Sequence, residues 1–265
     1  MDLDRYFDRI RFGDPARVDH ATLAALLAAH MSAIPFENID VLLGRGIRID
    51  LAGLERKLVA ARRGGYCFEH ATLLKAALEA LGFAPVAHLA RVLVVQPRAL
   101  APRTHMILSV PLPEGTFVVD PGFGALAPRV PVPLAERREA TCGGEAHWFE
   151  RDGAAWTLKA RQDGATQDCW TTTFEPEGPA DFAVANHYTA THPESPFRNR
   201  IMLRALLPDG RVSVHNRDLR IVRGANAVTT QLADRTALRT LLSTHFGFDF
   251  DELDALRVPT IPEWS

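Results

Sequence analysis

Cysteine is scarce in this chain: three residues in 265, Cys67, Cys142 and Cys169, none in a C-x-x-C pair. That spacing excludes the usual structural zinc pair and dithiol redox motif, and an odd, sparse set fits a reducing compartment. Long hydrophobic runs are missing too. No uncharged apolar stretch approaches the ~18 residues of a membrane span, and Met1-Asp2-Leu3-Asp4-Arg5 lacks the basic start of a secretory signal. The chain is therefore expected to be cytoplasmic and soluble, without membrane association. No sign of charge dominates: 30 basic and 32 acidic residues leave a formal charge of −2. Such a balance gives no field to gather nucleic acid, so a small-molecule partner is expected. His147, His187, His192 and His245 show no H-E-x-x-H spacing, so no metal is expected. Internal repeats and low-complexity tracts are absent, and the proline-rich stretch 128–133 reads as a loop.

What is present is a hydrophobic content of 47%, enough for one large core or for two or three lobes folded together. Three zones follow along the chain. Residues 1–83 read as helical. Leu23, Leu26, Leu27, His30 and Met31 recur at helical spacing after the capping candidates Asp19 and Thr22, with Pro35 marking the end. A second helix is predicted over 67–81, where Leu73, Leu74, Ala77, Leu78 and Leu81 form an apolar stripe closed by Gly82. Residues 84–190 turn to short β-rich runs (91–95, 104–110, 116–120, 156–160, 169–174) between proline and glycine clusters, which predicts a small antiparallel sheet or barrel. Residues 191–265 read as a mixed α/β lid: a hairpin of 201–207 with 211–214, turned by Pro208-Asp209-Gly210, then a helix over 236–244.

Cys67 follows two glycines and opens the predicted helix, where unpaired N–H groups and the helix dipole favour an anion. Such a position enriches the thiolate, the form that attacks acyl carbonyls. A buried structural cysteine is the competing reading of this position. Residues 104–120 form two β-like runs joined by Pro111-Leu112-Pro113-Glu114-Gly115. Folding them about Pro113 pairs positions whose numbers sum to about 226. His105 and Asp120 then become cross-strand neighbours to within one residue of register, which a bulge would correct. An aspartate beside a histidine fixes the imidazole tautomer and stabilises the imidazolium, the orienting half of a nucleophile–base–acid triad. A strand histidine with a turn-capping aspartate is the plainer alternative.

Arg63-Gly64-Gly65-Tyr66-Cys67-Phe68-Glu69 resembles the nucleophile signature of the arylamine N-acetyltransferases. Further matches are Tyr6 with Arg9-Ile10, Ile34-Pro35-Phe36-Glu37-Asn38, Thr104-His105-Met106, Val119-Asp120-Pro121-Gly122-Phe123-Gly124, and Ala185-Asn186-His187-Tyr188 running to Phe197, over about three-quarters of the chain. The resemblance implies an α+β fold made of a helical bundle, a β-barrel and an α/β lid around a cysteine-protease-like core. It implies that Cys67 accepts the acetyl group, that His105 is its base and that Asp120 orients the base. Acetyl-CoA is then the co-substrate, without a metal, and an arylamine or hydrazine is the acceptor. Phe36, Val92 and Phe123 are implied near the acceptor, with Gly124 beside them, whereas Phe197 is expected to pack in the core. Gly122 and Gly124 are expected to let backbone approach the pantetheine arm or the acyl oxygen. Arg9, Glu37 and Arg63 are expected to form a buried charge network under the cysteine loop. An amide synthase of the same family that does not use CoA, and a thiol hydrolase, share these motifs, and the sequence specifies no oligomeric state.

Overall fold

Asp19 starts the first long helix by accepting a hydrogen bond from the Thr22 backbone N–H at 2.8 Å, a cap that contributes about 1 kcal/mol. Thr22, the other capping candidate, lies inside the first turn and its hydroxyl accepts from Arg17 N–H. The computed structural model describes residues 1–14, 16–249 and 251–264. Its N-terminal part contains α1 (Leu3–Ile10), α2 (His20–Ala33), the one-turn helices α3 (Ile39–Leu42) and α4 (Leu51–Leu54), and α5 (Cys67–Ala80). Helix α2 stops where Ile34, the residue before Pro35, adopts an extended conformation, as the proline ring demands of its predecessor. Helix α5 ends at Gly82, whose φ of +90° suits glycine in the turn that closes the helix. Leu23, Leu26, Leu27, Leu73, Leu74 and Leu78 are fully buried, each stabilising the core by roughly 2 kcal/mol.

Eight strands follow: β1 (Val86–Val92), β2 (Arg103–Leu112), β3 (Gly115–Val119), β4 (Val132–Pro133), β5 (Ala140–Cys142), β6 (Glu145–Asp152), β7 (Ala155–Gln162) and β8 (Ala165–Thr172). They form one antiparallel sheet in the order β4-β3-β2-β1-β8-β7-β6-β5, which curls until Glu136 bridges to Phe149 and nearly closes a barrel. The period of two decides what each face does. Met106, Leu108 and Val110 of β2 pack outward on the helices, while Ile107 joins Ala90, Val118, Phe149, Leu158 and Trp170 inside the barrel. After α6 (Pro179–Thr191) and α7 (Pro196–Asn199), a four-stranded meander of β9 (Met202–Leu207), β10 (Gly210–His215), β11 (Asp218–Arg223) and β12 (Asn226–Gln231) precedes α8 (Arg235–Leu241). The architecture is α+β: helices, a barrel-like sheet and a second sheet with its own helix.

Several sequence expectations shift here. The run 91–95 is mostly not strand: β1 ends at Val92, and Val94 and Val95 are exposed. Their branched side chains favour strands only where a half-buried pleat receives them. The sheet is larger than expected, because Glu145–Asp152, with its four charged residues and a histidine, carries little apolar signal and yet forms β6. The run 169–174 likewise starts late and overruns, β8 being Ala165–Thr172. The stretch 128–133 is a loop that ends in the two-residue edge strand β4, where proline is tolerated. The hairpin after Ile201 forms with Leu207 opposite Gly210, so its turn is Pro208-Asp209. Helix α8 stops at Leu241, and Leu242–Phe246 continues as a wider π turn.

A buried chain of polar groups ties α1, α2 and α5 together. His70 Nε2 donates to the Pro35 carbonyl at 3.2 Å, which leaves His70 Nδ1 to accept from His30 Nε2 at 2.9 Å and His30 Nδ1 to accept from the Tyr6 hydroxyl at 2.8 Å. Both histidines are neutral in this arrangement. Burial lowers His70 to about 4 and pushes His30 well below its ordinary value. The unfolded chain takes up these protons near pH 6.5 and the native state does not, so stability present above pH 6.5 is lost as pH falls toward 4. His70 alone accounts for roughly 3 kcal/mol over that window. The thermal midpoint is expected to fall between pH 7 and pH 5, and His70→Gln, which keeps an amide donor for Pro35, should flatten the slope; equal slopes in the two proteins would contradict this.

Candidate active site

Cys67 is the first residue of α5, and what precedes it is fixed by close contact. A methyl group on Gly64 would overlap the Pro35 carbonyl oxygen, and one on Gly65 would overlap the Glu69 carboxylate. Glu69 accepts from the Tyr66 N–H at 3.1 Å, capping the helix from its third residue, and its other oxygen takes Lys57 Nζ at 2.8 Å. Lys57 also meets Asp40 at 2.8 Å, and Arg63 bridges Glu37 at 2.7 Å and Asp40 at 3.3 Å. Burial disfavours charge on Asp40, but Lys57 and Arg63 outweigh it and bring the carboxyl down to about 2. The network expected under the cysteine loop is therefore present with Glu37 and Arg63. Arg9 stands apart from it, donating to the carbonyls of Leu58 and Arg62. Glu69 of the cysteine motif joins the network through Lys57, and Lys57 and Asp40, which complete it, stand outside the matched motifs.

His105 comes from β2 immediately after a bulge. Ala90 pairs with His105 but Arg91 pairs with Arg103, leaving Thr104 as the extra residue, and its carbonyl faces Cys67 Sγ at 3.9 Å. Bulges of this kind re-aim neighbouring side chains. On the other side, β2 and β3 pair from Leu112 opposite Gly115 to Leu108 opposite Val119, so paired numbers sum to 227 and the turn is Pro113-Glu114. The register expected from the sequence was one residue off. The true register continues Asp120 to the position opposite Ile107, two residues along from His105 and on the same face of the sheet, which makes the pair diagonal neighbours. His105 Nε2 donates to Asp120 Oδ2 at 2.8 Å, and the Cys67 side chain is the ring's other interaction partner.

Asp120 is fully buried and its oxygens are shared out. Oδ2 also accepts from the indole N–H of Trp170 at 2.8 Å, and Oδ1 accepts from Gly122 N–H at 3.3 Å. Trp170, fifty residues away on β8, escapes sequence reasoning because the pairing of β1 with β8 that delivers it leaves no local pattern. Burial works against a charged imidazole at His105, but the Asp120 carboxylate and its hydrogen bond, with the Cys67 side chain, more than compensate and raise His105 to about 10. At neutral pH the ring holds both protons, with Asp120 and the Cys67 side chain as its two partners.

Gly122 presses its α-carbon on the Cys67 backbone, where any Cβ would overlap Cys67 Cα. Gly124 adopts φ +62° with the Phe36 ring against it. The Phe123 ring lies 4.8 Å from the His105 ring, Phe36 lies 6.3 Å from Phe197, and Val92, at the end of β1, pairs with Trp170. Phe123 is thus brought against His105, Phe36 against Gly124 and Val92 beside Trp170, while Phe197 packs on Tyr66 at 5.2 Å. A cavity of about 450 Å³ between the turns at Gly143-Gly144, Gly164 and Gly210 is lined by none of these residues, and its Arg211 is already paired with Glu145 and Asp163.

A thiol, an imidazole and a buried carboxylate brought together define an enzyme of the acyl-transfer class, and an N-acetyltransferase family model matches residues 19–255. An arylamine N-acetyltransferase of Escherichia coli K12 is 34% identical over 94% of this chain and 90% of its own length. Among solved structures, the arylamine N-acetyltransferase of Salmonella typhimurium superposes with a TM-score of 0.89 at 32% identity, covering 94% of each chain. That of Mycobacterium marinum in complex with CoA superposes with a TM-score of 0.88 at 31% identity, covering 93% of this chain and 92% of its own. The chain belongs to the arylamine N-acetyltransferase family. No described helix is long and apolar enough to cross a membrane.

Proposed function

We propose that this enzyme moves an acetyl group from acetyl-CoA to the nitrogen of an arylamine or arylhydrazine through an acetyl-cysteine at Cys67. The observation that carries the reading is His105 held between Cys67 and Asp120 at the start of α5. A sulfur partnered by an imidazole is the arrangement through which cysteine nucleophiles attack acyl carbonyls. The thiolate attacks the thioester carbonyl, the bond to the CoA sulfur breaks, and CoA leaves with the proton of His105. The amine then attacks acetyl-Cys67; neutral His105 takes the N–H proton, the carbon–sulfur bond breaks, and the ion pair is restored. The CoA complex of the Mycobacterium marinum relative supports the choice of donor.

In this reading residues 1–83 carry the nucleophile, 84–190 carry His105 and Asp120, and 191–265 form the lid, with a core of cysteine-protease type where helix and barrel meet. Phe36, Val92, Phe123 and Gly124 receive the aromatic acceptor, and the protein works in the cytoplasm. One base serves two half-reactions, so CoA departs before the amine attacks. Double-reciprocal plots at several fixed amine concentrations are expected to be parallel, and intersecting plots would indicate direct transfer in a ternary complex.

A further inference from the structure

Arg204, on β9, is 4% exposed, and a buried guanidinium costs several kcal/mol of desolvation unless its donors are satisfied. Its Nη1 donates to the carbonyls of Gly124 and of Ala127, the latter at 3.3 Å, while Nε and Nη2 have no hydrogen-bond partner among the described residues. Its backbone exchanges two hydrogen bonds with Phe36, at 2.8 and 2.9 Å. The side chain borders a cavity of about 10 Å³ shared with Phe36, Pro121, Gly124 and Leu206. That volume is at the lower limit for one water molecule. The hydrogen bonds its guanidinium makes among the described residues are both to backbone carbonyls of the segment after Asp120.

Those carbonyls lie in one half of a divided turn. Residues 120–122 are fixed from the barrel side by the Asp120–Gly122 hydrogen bond, by Trp170 and by the contact of Gly122 with Cys67. In the short 3-10 turn Gly124–Leu126 and the Ala127 after it, Arg204 holds the carbonyls of Gly124 and Ala127 from the lid side, while His147 Nε2 of β6 donates to the Leu126 carbonyl at 3.0 Å from the barrel side. Phe123, whose ring rests on His105, is the residue between the two anchors. Removing Arg204 leaves Leu126 held by His147 and residues 120–122 held as before, and releases the carbonyls of Gly124 and Ala127 on either side of Leu126, next to Phe123 and the Phe36 contact.

We propose that Arg204 is a positioning residue for the acceptor: acting through Gly124 and Ala127, it sets the placement of Phe123 against Phe36 and takes no part in forming acetyl-Cys67. This rests on the reading of Phe36 and Phe123 as the acceptor pocket. In Arg204→Met, KM for the arylamine should rise about tenfold to a hundredfold while the single-turnover acetylation of Cys67 by acetyl-CoA changes by less than about threefold. Arg204→Lys, which keeps the charge but spans only one carbonyl, should fall between. Hydrogen exchange followed by mass spectrometry should show the amides of 121–128 exchanging about tenfold faster in the methionine variant, with those of α5 unchanged. Acetylation and amine KM deteriorating together, or unchanged exchange over 121–128, would overturn the proposal. If the wild-type protein takes no acetyl group at all, the transfer reading fails, and the exchange measurement still decides whether Arg204 holds the turn.

Discussion

Asp120→Asn is expected to leave a folded protein with turnover lowered by about 10⁴, the loss seen for the corresponding change in serine proteases. The hydrogen bonds around Asp120 give the reason. Its two oxygens accept from three donors: His105 Nε2, the Trp170 indole and Gly122 N–H. An asparagine has one oxygen. Turned toward His105 and Trp170, it points its NH₂ at the Gly122 N–H; turned toward Gly122, it points that NH₂ at the indole and forces His105 to carry its proton on the nitrogen that should serve Cys67. Either way a donor faces a donor in a site that excludes water, at a cost of about 1–3 kcal/mol, and the imidazolium loses the carboxylate that raises it to about 10. The pH profile should shift with it: His105 deprotonates at lower pH in the variant, so the alkaline limb of single-turnover acetylation moves down. A folded Asp120→Asn enzyme with near-normal turnover would remove Asp120 from the mechanism.

Cys67→Ala should be the more severe change, by roughly 10⁶ if loss of the nucleophile follows the pattern of serine hydrolases. Nothing in the structure makes this a folding variant. Cys67 is buried at the start of α5, where alanine is accommodated and the helix cap comes from Glu69 rather than from the thiol. The neighbouring cysteines cannot substitute. Burial drives the Cys169 thiol far upward, and Cys142 lies at the barrel's β5 edge away from His105. Turnover of the alanine variant within about tenfold of wild type would mean that the amine attacks acetyl-CoA directly.

The helical half of the fold is legible because its signals are local. The α2 and α5 stripes, Asp19, Pro35 and Gly82 each act within a turn or two of where they stand. The β2–β3 hairpin is legible for the same reason, and its register was missed by one residue because Gly115 belongs to the strand and the turn is only Pro113-Glu114. What the sequence hides is pairing at a distance. The neighbour relation of β1 and β8 delivers Trp170 to Asp120, and β9 delivers Arg204 to the turn after Asp120; neither leaves a periodicity to read. The charged cluster shows the same limit from the other side. Glu37 and Arg63 stand in recognisable motifs, but Lys57 sits in a π-helical segment, Glu55–Ala60, whose geometry aims it at Glu69 and Asp40. Arg9 has the charge for that network and the wrong address. The family match over 19–255 extends past the motif-bearing three-quarters of the chain and takes in the β9–β12 meander.

The central claim is that Cys67 itself carries the acetyl group. Intact-mass measurement of the protein mixed with acetyl-CoA alone, with no amine present, tests it most directly. The predicted result is the gain of a single acetyl group, mapped to Cys67 by peptide fragmentation, absent from Cys67→Ala and discharged on addition of an arylamine. An unmodified mass in the wild-type protein, or acetylation that persists in Cys67→Ala, would contradict it.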